Sequence, residues 1–106
     1  MRRRGDVFWF NFDYIGRHQV VVVSRNTGRD TVIVAFITDP EEEPPEAPDV
    51  ITVAGMSCHG HVKGFVRCDQ LFNLDKDDGA WGAQVTHMIG DDMRKVEAGL
   101  RAALRL

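Results

Sequence analysis

No hydrophobic run in this 106-residue chain approaches the roughly 18 residues that a membrane-spanning helix needs. Nor does an apolar stretch follow the basic start Met1-Arg2-Arg3-Arg4. An acid, Asp6, and then aromatics come instead, so neither a membrane span nor a secretory signal is expected. Cysteine is nearly missing: Cys58 and Cys68 are the only two. That is too few for a disulfide framework, and reduced thiols in a cytoplasmic protein are the expectation. Cys58, His59, His61 and Cys68 match no standard zinc spacing, and neighbours 58 and 59 on a strand point apart, so neither metal nor cofactor is expected. Proline is missing everywhere except residues 39–49, which hold all four. Internal repeats are lacking too, and the length suits one domain over residues 1–106.

Segment 39–49 also concentrates negative charge. Asp39, Glu41, Glu42, Glu43, Glu46 and Asp49 lie there without a Lys or Arg. The formal net charge is −3, and setting those six acids aside turns −3 into +3 for the remainder. That proline density excludes a regular element, so the segment reads as an exposed acidic loop on a mildly basic body. Such a body is compatible with nucleic acid, because local patches rather than totals drive phosphate contact.

Hydrophobic periodicity predicts a run of strands followed by one helix. Val7–Phe12 alternates, with Phe8, Phe10 and Phe12 on one face and Val7 and Trp9 on the other. Asp13–Gly16 reads as a turn. Gln19–Ser24 carries Val20-Val21-Val22-Val23, a β-branched run suited to a strand buried on both faces. Thr31–Thr38 is a third strand, paired with the second as a hairpin. Val50–Val53, His61–Gln70 and Gln84–Ile89 follow as further strands. Gly90-Asp91-Asp92 opens a helix over 91–105, with Met93, Val96, Leu100, Ala103 and Leu104 as its apolar stripe. The pattern predicts a mainly β fold: a small barrel of strongly bent antiparallel strands with a C-terminal helix packed on it. Trp9 and Trp81 are read as core or subunit-interface residues.

One strand face stands out chemically. Val62, Val66 and Cys68 read as core-facing, so Lys63, Phe65, Arg67 and Asp69 share the opposite face. Two cations, a ring and a carboxylate suit single-stranded nucleic acid: cations for phosphates, a flat ring for a base. The same spacing equally describes an ion-pair ladder on a solvated sheet. RNA brings its own nucleophile, the 2′-hydroxyl, so cleavage needs only a base, a stabiliser of phosphorane charge and help for the leaving 5′-oxygen. Asp69 is a candidate base. Arg67 is a candidate for the non-bridging oxygens through its planar fork. Arg17 and His18, placed in the loop before the second strand, are candidates for proton transfer or phosphate contact. For His18 the plain alternative is an exposed loop imidazole.

Several of these segments resemble one family. Arg3-Arg4-Gly5-Asp6-Val7 followed by alternating aromatics is similar to the opening of MazF/PemK/Kid toxins. Val20-Val21-Val22-Val23-Ser24 resembles their second strand, and Ile37-Thr38 the Thr that ends their third. Phe65-Val66-Arg67-Cys68-Asp69-Gln70, then Asn73-Leu74-Asp75, resembles the family's VVRCDQ…TID segment, the most specific part of the match. The resemblance spans nearly the whole chain. It implies an SH3-like barrel, a homodimer with RNA in a groove across it, metal-independent cleavage of single-stranded mRNA, and a cognate antitoxin that blocks the groove. It places the catalytic set of the Kid branch on Arg67, Asp69 and His18, and RNA contacts on Thr38, Lys63 and Phe65. A guanidinium with a pKa above about 12 releases protons poorly, so oxyanion stabilisation is the role expected of Arg67.

The sequence departs from the family at three places. The first loop is short, and His18-Gln19, with Arg17 one step earlier, stands where the MazF branch has a catalytic Arg, so Arg17 and His18 compete for that role. Phe72 replaces an Arg that follows the DQ pair in many relatives. The acidic loop 39–49 would repel RNA if it lay over the groove; the alternatives are that it gates the groove or narrows substrate choice. Two other functions fit the same fold: a gyrase-binding toxin of the CcdB type, and a weakened relative that mainly binds its antitoxin.

Overall fold

A computed structural model describes residues 2–25, 29–38, 50–57, 60–88 and 90–104, with backbone alone for 50–57 and 60–64. The acidic loop 39–49, Cys58, His59, Ile89 and Arg105 lie outside the described residues.

The chain forms strands β1 (Asp6–Phe12), β2 (Gly16–Val22), β3 (Thr31–Thr38), β4 (Val50–Ser57), β5 (Gly60–Asp75) and β6 (Trp81–His87), then helix α1 (Asp91–Leu104). All strands join one antiparallel sheet in the order β4-β5-β3-β2-β1-β6. Edge strands β4 and β6 come into contact, but no ladder joins them among the described residues. The expected barrel is therefore a curled sheet left open at one seam.

The valine run does what β-branched residues on two faces should do. Val21 packs into one core with Val7, Ala35, Ile37, Val66, Cys68 and Val96, while Val20 and Val22 pack into a second with Phe8, Phe10, Val32 and Val34. With both faces buried, a slip of one residue would swap the two sets, so register is firmly specified. Helix α1 covers the first core through Met93, Val96, Leu100 and Ala103. Leu104, its last residue, stays 52 % exposed, so the apolar stripe packs only as far as Ala103. The second core is lined by rings: Trp81 meets Phe8 and Phe10 edge-on, and Phe12 meets Phe10, Phe36 and Phe72.

Several strands reach beyond the bounds the sequence indicates: β4 continues to Ser57 and β6 starts at Trp81, and β2 and β5 extend for identifiable reasons. β2 starts at Gly16 rather than Gln19, because a three-residue turn, Asp13-Tyr14-Ile15, pairs Phe12 directly with Gly16. Gly16 takes φ +80°, the left-handed conformation such hairpin loops require. β5 continues past Gln70 to Asp75 because it absorbs a bulge. Ala35 pairs with Leu71 while Phe36 pairs with Arg67, leaving residues 68–70 opposite a single step of β3. A bulge bends the strand and re-aims side chains. Here Cys68 and Leu71 both reach the first core, while Phe72 and Leu74 reach the second.

The Gly5-Asp6 pair pins the N-terminus. Gly5 donates its N–H to Val22 and accepts from Met88, both at 2.8 Å. Asp6, 1 % exposed, accepts from the Arg3 backbone N–H, Gln84 and the His87 ring. Gly5 has φ +95°, and a Cβ there would sit 2.6 Å from the Met88 carbonyl oxygen. Gly5→Ala should therefore cost about 2 kcal/mol or more, read as a fall of roughly 10 °C in the thermal midpoint. An unchanged midpoint would show that the staple can shift at no cost.

Candidate active site

Directly opposed residues of an antiparallel pair share a face of the sheet. Phe10 opposes His18, Val20 opposes Phe36, Phe36 opposes Arg67, and Thr38 opposes Phe65. His18, Phe36, Thr38, Phe65 and Arg67 therefore lie on the face of the second, ring-lined core, at its open end. The His18 ring rests on Phe36 with centroids 4.7 Å apart. Its Nε2 lies 2.8 Å from the carbonyl oxygen of Ile15 in the β1–β2 turn. A carbonyl only accepts, so this contact places the hydrogen on Nε2 and leaves the lone pair of a neutral ring on Nδ1. Thr38 donates its hydroxyl to the Phe65 carbonyl at 3.3 Å.

Arg67 and Asp69 meet as a bidentate pair. Nε donates to Oδ1 at 3.0 Å and Nη2 to Oδ2 at 2.8 Å. Both side chains remain accessible, at 28 % and 36 %. The fork therefore fixes the plane of the guanidinium while leaving it within reach of solvent. The hydrogen bonds from Arg67 hold the Asp69 carboxyl below the usual carboxylate range; partial burial opposes this, and the charge of Arg67 reinforces it.

That direction bears on chemistry and on stability. A carboxylate whose proton affinity is lowered is a weak base, so Asp69 suits anchoring better than proton abstraction. A depressed folded-state value contributes stability above the unfolded-state value, lost as pH falls through the folded one. At this exposure the pair is worth well under about 1 kcal/mol. Asp69→Asn should accordingly move the thermal midpoint at neutral pH by no more than about 4 °C. A larger drop would mark the pair as structural.

The structure thus brings together four of the residues singled out from the sequence, His18, Thr38, Phe65 and Arg67, with Asp69 bonded to the last. Arg17 is separated from them. Both Arg17 and His18 belong to β2 rather than to a preceding loop, and successive strand residues face opposite ways. Arg17 lies over the Trp9 ring, 4.3 Å from its centroid, on the side of the first core. Lys63 opposes Ala54 in the ladder, and its side chain lies outside the described residues. Cys58 and His59 also lie outside them. Among the described residues no group of three His, Cys, Asp or Glu could hold a metal ion, and Cys68 is buried. Among the described residues no helix is long and apolar enough to cross a membrane. Phe36 and Phe72, which bed the His18 side of the site, were not singled out as site residues. The signal for Phe36 was the even-numbered alternation of Val32, Val34, Phe36 and Thr38.

Comparison with known proteins follows the same lines. Residues 3–104 match the family described as PemK-like, MazF-like toxin of type II toxin–antitoxin system. No curated protein matches the chain. Among solved structures, a mycobacterial endoribonuclease in complex with its cognate antitoxin superposes with a TM-score of 0.83 at 22 % identity, over 100 % of this chain and 97 % of that one. A MazE–MazF complex from Deinococcus radiodurans gives 0.72 at 23 %, over 96 % and 93 %. The toxin MazF-mt6 of Mycobacterium tuberculosis gives 0.72 at 16 %, over 95 % and 97 %. At such identities the superpositions establish the fold.

Proposed function

Since the chain belongs to the PemK-like, MazF-like toxin family of type II toxin–antitoxin systems, we propose that it is a metal-independent endoribonuclease cutting single-stranded mRNA, acting in the cytoplasm. The observation that carries this reading is the Arg67–Asp69 pair, accessible and on the same sheet face as His18. The solved structures it superposes on include endoribonucleases, one of them bound to its cognate antitoxin. A cognate antitoxin and a homodimer are accordingly the partners proposed here.

In this mechanism the substrate supplies the nucleophile. Nδ1 of His18 accepts the proton of a 2′-hydroxyl as its oxygen bonds to phosphorus. The bond from phosphorus to the 5′-oxygen breaks, that oxygen takes a proton from water, and the hydroxide left behind takes back the proton held by His18, which restores the base. The products are a 2′,3′-cyclic phosphate and a 5′-hydroxyl. Arg67 donates to the non-bridging oxygens, whose charge grows in the transition state. Asp69 holds the guanidinium in plane, so that little reorganisation is left to the reaction step. Phe65 offers a ring to a base. Thr38, buried and bonded to the Phe65 carbonyl, supports that strand, and Lys63, on sequence grounds alone, is proposed as a cation for phosphate. Arg17, stacked on Trp9 on the other side of β2, takes no part in proton transfer.

The test is incubation of the purified protein with single-stranded RNA in EDTA. Cleavage that disappears in Arg67→Ala supports the reading. Intact RNA across many sequences, with inhibition of DNA gyrase instead, would replace it by the CcdB-type alternative.

A further inference from the structure

The β1–β2 turn holds exposed apolar surface beside the candidate base. Tyr14 is 100 % exposed, and Ile15 next to it is 53 % exposed. A ring so fully in water adds nothing to the core, and among the described residues it meets no hydrogen-bond partner and no other ring. The turn is nonetheless well defined: Phe12 pairs with Gly16 across only three residues, and Gly16 takes the left-handed conformation that closes the loop. Tyr14 precedes the residue whose carbonyl oxygen receives the His18 ring at 2.8 Å. The aromatic tip and the base are thus joined through one peptide unit and one hydrogen bond. Tyr also brings a large flat surface with few rotatable bonds, so little entropy is lost when it orders against a ligand.

We propose that Tyr14 is a nucleobase-stacking residue that holds single-stranded RNA against His18. This rests on the endoribonuclease reading and adds to it a contact at the β1–β2 turn, separated from Phe65 on β5 by β3 in the sheet order. Every base has a π-face, so Tyr14 contributes affinity and placement of the strand rather than choice of sequence.

The experiment uses the full chain and a short, unstructured, fluorescein-labelled RNA pool carrying 2′-fluorine in place of every 2′-hydroxyl, so that nothing can be cut. Binding is read by anisotropy for wild type, Tyr14→Ala and Tyr14→Phe, after thermal melts confirm that the exposed substitutions leave folding unchanged. Tyr14→Ala should bind about tenfold more weakly, and Tyr14→Phe as wild type, because the ring face is kept. Equal binding by Tyr14→Ala overturns the proposal, including the case in which only antitoxin binding suffers. Equal losses in Ala and Phe overturn stacking as its basis. Tyr14-dependent binding in a protein that leaves ordinary RNA intact supports the platform and sinks the nuclease reading. A wild-type protein that does not bind the pool overturns both.

Discussion

Arg67→Ala should lower kcat for RNA cleavage by about 10²- to 10³-fold, the loss seen when a preorganised donor to a developing oxyanion is removed. The protein should stay folded, since an accessible ion pair of this kind contributes little to stability. Arg67→Lys should recover only a small part of the rate. An ammonium keeps the charge but cannot span both oxygens of Asp69 in one plane, so neither the anchoring nor the paired donation to phosphate survives. Steady-state kinetics on one RNA, with circular dichroism as the control for folding, measures both variants. Wild-type rates in Arg67→Ala would remove the guanidinium from the mechanism.

His18→Gln should cost about 10²- to 10⁴-fold in kcat, the usual contribution of a positioned general base. Glutamine can still offer a donor to the Ile15 carbonyl, so the turn is preserved while the proton acceptor is lost. The pH profile then separates the imidazole from the carboxylate. Asp69 is held below the usual carboxylate range by Arg67 and stays ionised throughout the neutral and mildly acidic region. Its protonation therefore does not shape the acid limb of kcat/KM there. Asp69→Asn should lower the rate through a misoriented Arg67 yet leave the pH profile of kcat/KM unchanged across that region. An acid limb that vanishes in Asp69→Asn would make the carboxylate, not the imidazole, the base.

Much of this site follows from strand periodicity. Once 61–70 reads as a strand, Arg67 and Asp69 must share a face, and the opposite parity of Val66 and Cys68 assigns that face away from the helix-covered core. The valine run announced its own burial on both sides. Other features left weaker traces. Gly16-Arg17-His18 is polar and begins with glycine, which reads as turn, yet tight pairing of Phe12 with Gly16 draws it into β2. That pairing separates Arg17 from His18, a choice that spacing alone left open. The bulge at residues 68–70 has no local marker such as Gly or Pro; it is imposed by the ladder with β3, where Leu71 must return to the first core. Whether the sheet closes depends on an approach of β4 to β6, the two strands furthest apart in the sheet order, and no local pattern encodes it.

The central claim is that the substrate's own 2′-hydroxyl attacks phosphorus. Mass spectrometry of the 3′ ends released from single-stranded RNA, digested in EDTA, tests it most directly. The account predicts fragments ending in 2′,3′-cyclic phosphate, or in the phosphate left by its hydrolysis. Fragments ending in a 3′-hydroxyl would contradict it, because water or another nucleophile would then have displaced the 3′-oxygen.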